Sequence, residues 1–400
     1  MSLASYLPGF LGGKEERAGV APPQMKRWTT GLDGIDKLEM EEGVDVPSPG
    51  DGEVLVRIHA VSLNQRDKEV CSGEGHKTKT APAPAPAPAS GRRQPQRLVP
   101  CSDMCGVVVR SRSRLLAPGA RVASILLQTH LAGAVGEDDL DSALGLPLPG
   151  VLAEYRVFAA VALVPVPAYL SDEEASCLPV AGVTAWTGLN WMRPLGQHVG
   201  ADAGPGGRRA GFVLVQGTGD VAVAALQAAR AAGYKTIVTS SSDDRLRRAA
   251  EQLGADHTVN DKTHWEWQGP VMEATGGRGA DLIFETGGAR TIRKSFESVA
   301  FGGVINCIGD VSGEADGDPD KAPLLQRLNV SGLVLRRNVT LRGIVNGGKD
   351  RFEEMLGFYE EKKIRPVVGR VFAFAEAREA LACLAAGEQF GKVVVKVCEG

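Results

Sequence analysis

The stretch Phe212-Val-Leu-Val-Gln-Gly-Thr-Gly-Asp-Val-Ala222 constrains this chain more than any other. Phe212–Gln216 is a short apolar run of the kind that forms a buried strand. Gly217-Thr218-Gly219 follows, and Asp220 opens a helix pattern that runs to Ala232. Strand, glycine turn and helix in that order make G-x-G-x-x-[G/A], the pattern that cradles the pyrophosphate of a dinucleotide. Gly217 makes the tight turn, and Gly219 lets a phosphate approach the backbone. Ala222 is small enough for the helix to close on the sheet. The N–H groups at Asp220 and Val221 then stand at the positive end of the helix dipole.

Asp220 is discordant in such a loop. If its carboxylate points inward it repels a pyrophosphate; if it points to solvent it is a first-turn acid that stabilises the helix. The solvent-facing reading is preferred.

The pattern around the loop is β-α-β. Lys235–Thr239 is a strand, Asp243–Leu253 a helix, and Asp281–Glu285, Gly303–Ile308 and Val339–Ile344 are later strands. That alternation predicts an α/β fold with a doubly wound parallel sheet. An NAD-binding fold places an acid at the end of the second strand, about 20 residues past the loop, for the ribose 2′-OH. Here the tip reads Ser240-Ser241-Ser242, with Arg245 after it. Small donors plus a cation suit a 2′-phosphate; an ordinary Ser/Asp helix cap with a solvated arginine is the other reading.

Before this half the texture is β-like. Glu53–Ala60, Gly106–Val109 and Gly119–Leu127 are strand candidates, and Ser171-Asp-Glu-Glu caps a helix expected to reach Leu178. Residues 1–24 read as a tail. Residues 74–97 hold an alternating Ala-Pro tract, read as a solvated surface insertion in polyproline II form. After the later strands, a helix at Arg351–Lys363, a strand near Val367–Val371, a helix at Glu376–Ala386 and a strand at Lys392–Val397 close the chain.

Lys and Arg number 45 against 48 Asp and Glu, a net charge of −3, with aromatics at 5%. Nucleic-acid binding wants a basic face and stacking rings, so that class is excluded. No apolar run is long enough to span a membrane. Seven cysteines occur without any C-x-x-C pair, which speaks against a disulfide framework or a structural zinc lobe. A cytoplasmic protein is expected.

Seven segments carry a family resemblance: Asn64-Gln-Arg-Asp67, Val99–Gly106, Pro149–Tyr155, Leu178–Trp186, Val215–Gly219, Leu253-Gly-Ala-Asp-His257 and Phe390-Gly-Lys-Val-Val394. In this order, over residues 25–397, the chain resembles the zinc-free, quinone oxidoreductase-like branch of the medium-chain dehydrogenase/reductase superfamily. The resemblance implies a GroES-like, mostly β catalytic domain (25–181, returning at 346–400) around a Rossmann domain (182–345), with the cofactor in the cleft between them. It further implies pairing of two copies through the Val339–Ile344 edge.

Zinc-dependent members carry Cys at the position of Asn64, His-Glu at Ser102-Asp103 and Cys at Ala181. Asn, Ser and Ala cannot build a tetrahedral N/S site, so no metal is expected. Cys101 and Cys105 read as small buried thiols. The resemblance makes the cofactor NADPH and the reaction hydride transfer to an enone, quinone or related carbonyl. It places Asn64 and Thr184 beside the nicotinamide and ribose, and Asp67 close behind. Asn260 falls near the adenosine 2′-phosphate, and Gly287, Gly288, Ile308 and Gly309 along the cofactor. Glu69 stands where such relatives often carry a proton-donating tyrosine. It replaces that donor if burial raises its pKa, and is otherwise a solvated loop acid. Asp261 adds a second acid near the phosphates. The alternatives are non-redox use of the cleft, as in cyclisation or isomerisation, and a non-catalytic dinucleotide-binding or scaffold protein.

Overall fold

In a computed structural model, residues 21–73, 97–190, 192–199, 211–309 and 328–398 are described. The Ala-Pro tract and most of the amino-terminal tail lie outside them.

Six parallel strands build the nucleotide-binding half. Edge to edge they are His257–Asn260, Lys235–Ser240, Phe212–Gln216, Ala280–Glu285, Val299–Cys307 and Thr340–Gly343. In chain order this is 3-2-1-4-5-6. The order reverses between Phe212–Gln216 and Ala280–Glu285, and ligands of open α/β sheets sit beyond the carboxyl ends of the strands at such a reversal. Gly217 and Thr286 lie at that point. Helix Asp220–Ala231 buries Ala222, Ala225, Leu226 and Ala229, a 3.6-residue stripe that seats it on the sheet.

The other half is built on one large sheet drawn from both ends of the chain, beside a separate two-stranded sheet of Gln24–Thr29 and Glu39–Asp45. In the large sheet the order is Val368–Ala373, Lys392–Lys396, Glu53–Ser62, Asp103–Ser111, Arg121–Ser124 and Leu163–Pro165, with Tyr155–Ala159 also paired to Glu53–Ser62. Val394 stands opposite Ser62, so the carboxyl-terminal strand brings Lys392 beside the helix that starts after Asn64. Trp186, Val215, Phe284, Phe352, Tyr359 and Phe390 belong to one buried cluster that joins the two halves. Each such side chain contributes about 1.5–3 kcal/mol by leaving water, so the cleft walls are fixed by packing.

Several elements depart from expectation. The helix opened by Ser171 runs only Asp172–Ser176; a wide turn of π type follows at Leu178–Gly182, and a new helix spans Val183–Leu189. Pro179 has no N–H to continue the first helix. Helix Gln65–Ser72 and strand His257–Asn260 occupy segments read only as motif and turn. No helix among the described residues is long and apolar enough to cross a membrane.

Candidate active site

The glycine loop has the form its sequence requires. Gly217 sits at φ 82°, where L side chains are strained, and its N–H bonds Thr239 O at 2.8 Å. Gly219 has no such backbone demand, and a Cβ there would meet nothing within 4 Å. Neither conformation nor packing calls for glycine at 219. Open approach to the backbone is the remaining physical reason for it, and that suits a pyrophosphate.

Glu285, at the end of the fourth strand, is fully buried and holds the loops at the sheet reversal together. Its Oε1 accepts from Gly287 N at 2.9 Å, Gly288 N at 3.0 Å and Thr291 Oγ1 at 2.5 Å. Its Oε2 accepts from Gln216 Nε2 at 2.7 Å and from Ser295 Oγ. Thr286 Oγ1 donates to Gln216 O at 3.1 Å, tying the first loop to the fourth. Ile308 N bonds Glu285 O at 2.9 Å and Gly309 N the same oxygen at 3.5 Å, which adds the fifth strand end. Gly217, Gly287, Ile308 and Gly309 thus lie in loops joined to one another at the carboxyl ends of the strands.

The Asp220 side chain is 29% exposed, and both of its oxygens are engaged. Its Oδ1 takes the Val221 N–H at 2.8 Å, and its Oδ2 lies 3.7 Å from Lys392 Nζ. The preferred solvent-facing reading is corrected in part: a partly exposed carboxylate turns one oxygen toward a buried ammonium on the facing domain. Lys392 is 4% exposed.

That ammonium is the residue the sequence reading missed. It donates to Asn64 Oδ1 at 2.6 Å and stands 3.9 Å from Asp103 Oδ2. Asn64 Nδ2 reaches Ser102 Oγ at 3.4 Å, and Ser102 donates to Asp103 Oδ1 at 2.9 Å. Asp103 Oδ2 also accepts from Val180 N at 3.1 Å, beside Ala181 in the wide turn. Burial raises the Asp103 pKa, with Lys392 opposing. A signal was present: a lysine heading the apolar run Val393–Val395 in the strand KVVVK.

The three positions where zinc-dependent relatives keep ligands therefore converge, as Asn64, Ser102 and Ala181. Their atoms do not fit zinc: an amide bonded to an ammonium, a hydroxyl bonded to a carboxylate, and a methyl group. Among the described residues no group of three or more His, Cys, Asp or Glu is placed to hold a metal ion.

Asp67 is fully buried in the first turn of helix Gln65–Ser72, and its Oδ2 accepts from Asn64 N at 2.8 Å. Oδ1 has no hydrogen-bond partner. Desolvation raises its pKa to about 6, with Arg66 opposing. Glu69, two residues on, lies on a different face of the helix; it is half-buried and takes Gln65 Nε2 at 3.4 Å. Thr184 is buried and donates to Asn346 Oδ1 at 3.2 Å.

At the second-strand tip, Ser240 is buried and Ser241 exposed. Ser242 caps the helix, accepting from Arg245 N at 3.4 Å. Arg245 Nη1 donates to Gly387 O at 2.7 Å, and its buried Nε has no partner. Asn260 is committed locally: Nδ2 to Asp243 Oδ1 at 2.6 Å, and Oδ1 to Lys262 N at 2.9 Å. Asp261 is raised by desolvation, with Lys294 and then Arg245 acting against it.

Residues 50–168 match the alcohol dehydrogenase GroES-like domain family and 221–361 the zinc-binding dehydrogenase family. A zinc-type alcohol dehydrogenase-like protein of Schizosaccharomyces pombe is 36% identical over 369 residues, 92% of this chain and 97% of that one. A chloroplastic quinone oxidoreductase of Triphysaria versicolor is 27% identical, over 92% of this chain and 95% of that one. The crystal structure of an alcohol dehydrogenase-class protein from Sinorhizobium meliloti superposes with a TM-score of 0.77 at 35% identity, over 94% of this chain and 100% of that one. The chain belongs to the medium-chain dehydrogenase/reductase superfamily.

Proposed function

We propose that the chain is a zinc-independent reductase that passes hydride from NADPH to a conjugated carbonyl, an enone or a quinone. The observation that carries this reading is the Lys392–Asn64 pair, 2.6 Å from Nζ to Oδ1, at the position where zinc-dependent relatives hold the metal. Without a Lewis acid an isolated ketone is a poor hydride acceptor. A conjugated one spreads the incoming charge onto its oxygen, where hydrogen-bond donors can meet it.

The bound nicotinamide supplies the hydride. The glycine loop would hold the pyrophosphate, joined by the Val221 N–H once Asp220 releases it, while Thr184 and Asn64 would border the reacting end. The hydride would pass to the β-carbon of an enone, whose C=C π pair would shift toward oxygen and take up one proton at the α-carbon; the balance is NADPH, H⁺ and enone to NADP⁺ and saturated ketone, or NADPH, H⁺ and quinone to NADP⁺ and hydroquinone. NADPH is favoured by the missing acid at Ser240 and by the unpartnered Nε of Arg245, which a 2′-phosphate oxygen can satisfy.

A second reading is a non-catalytic scaffold protein, and the Asp220 carboxylate on the Val221 N–H favours it, because it stands where a dinucleotide phosphate would bind. Fluorescence titration of NADPH and NADH, followed by NADPH oxidation across a panel of quinones and enones, separates the two. Turnover supports the reductase; no binding of either dinucleotide supports the scaffold; binding without turnover removes both and leaves a dinucleotide sensor. The same proposal makes the protein a cytoplasmic homodimer joined through the outer edge of Thr340–Gly343, so Leu341→Lys should shift a dimer to monomer in sedimentation.

A further inference from the structure

Lys392 fixes the orientation of Asn64. An ammonium has three donors and no acceptor. At 2.6 Å it compels Asn64 to present Oδ1, and Nδ2 then points away from the lysine. Ser102 gives its own hydrogen to Asp103 Oδ1 at 2.9 Å, so its oxygen is free to accept from Nδ2 at 3.4 Å. A cation at one end and a carboxylate at the other set every donor direction from Lys392 through Asn64 and Ser102 to Asp103. The amide carries two Nδ2 hydrogens; Ser102, with the Asp103 carboxylate behind it, takes one. The ammonium on Oδ1 also withdraws electron density from the amide and makes the remaining N–H a stronger donor.

We propose that Lys392 is a positioning residue that holds the Asn64 amide with one Nδ2 hydrogen directed at the substrate carbonyl oxygen. The amide then does with a hydrogen bond part of what zinc does in metal-dependent relatives. This inference rests on the reductase reading. Lys392 acts through Asn64, so its effect on turnover vanishes when Asn64 has no amide.

A double-mutant cycle tests it, with 9,10-phenanthrenequinone and 2-cyclohexenone as substrates and dinucleotide affinity measured separately. Asn64→Leu should lower kcat about 10²-fold, the cost of one oxyanion donor. Lys392→Met should lower kcat about tenfold and Lys392→Arg should restore most of it. The double variant Asn64→Leu/Lys392→Met should turn over no more slowly than Asn64→Leu alone. Additive losses in kcat would overturn the proposal. The side-chain amide ¹⁵N–¹H signals of Asn64 supply a readout without substrate: they should shift in Lys392→Met and stay in place in Lys392→Arg. Identical amide signals in wild type and Lys392→Met overturn the inference even if the protein reduces quinones. Shifted signals in a protein that reduces none uphold the amide geometry and reject the reductase reading instead.

Discussion

Lys392 Nζ lies 3.7 Å from Asp220 Oδ2 across the cleft, and the other oxygen of that carboxylate takes the Val221 N–H at 2.8 Å. An anion belonging to the chain thus occupies the helix N–H and the cation that a dinucleotide phosphate would use. Unit charges at this separation attract by roughly 4 kcal/mol at an effective dielectric of 20, before competition from water and the other partners of Lys392.

Asp220→Gly should therefore tighten NADPH and NADH alike, because both share the pyrophosphate. One charge-assisted hydrogen bond released to the ligand is worth about 1.5–3 kcal/mol, or roughly 10- to 150-fold in Kd. Calorimetric titration of both cofactors checks it. Unchanged affinity would mean that the carboxylate leaves the site at no cost.

Arg245→Ala should weaken NADPH by about tenfold or more and leave NADH within about twofold. The guanidinium keeps one hydrogen bond to Gly387 O, and its Nε is without a partner. Equal losses for the two cofactors would place Arg245 in the fold rather than at the 2′-phosphate.

Much of this framework was legible in the sequence. The β-turn-α signal at Phe212–Ala222 and the run Asp243–Leu253 reappear as elements because apolar period, cap and glycine stop agree there. Helix Gln65–Ser72 escaped because QRDKEVCS has no apolar stripe; it is anchored by Val70 and Cys71 and by Asp67 accepting from Asn64 N. The Lys392–Asn64 contact joins residues 328 apart, so no local pattern discloses it. The direction of Asp220 depends on that same lysine, which is why helix chemistry alone pointed it to solvent.

Asp67 gives the fold a pH dependence. Its pKa is about 6 in the native state, against about 4 in an unfolded chain. Between those values the native state holds the extra proton, so this group makes stability fall as pH rises through the window and leaves it lower above. Asp67→Asn removes the buried charge and keeps an acceptor for the Asn64 N–H. It should gain about 1–2 kcal/mol over wild type at pH 8 and little at pH 4.5, read from urea midpoints at each pH. A variant equally destabilised at both pH values would contradict the assignment.

Glu285→Gln should cost about 2–4 kcal/mol and weaken dinucleotide binding together. The new amide nitrogen turns a donor toward donors: Gly287 N and Gly288 N on one side, or Gln216 Nε2 on the other. Denaturant midpoint and cofactor titration measure the two effects. Loss of stability with full affinity would show that the carboxylate does not set the cofactor loops.

The central claim is that this cleft reduces conjugated carbonyls without a metal. The direct measurement is the rate of NADPH oxidation with 9,10-phenanthrenequinone by protein dialysed against a chelator, with zinc determined on the same sample. The account predicts an undiminished rate with zinc far below one per chain. A rate that disappears on dialysis and returns with added zinc, at close to one zinc per chain, would contradict it.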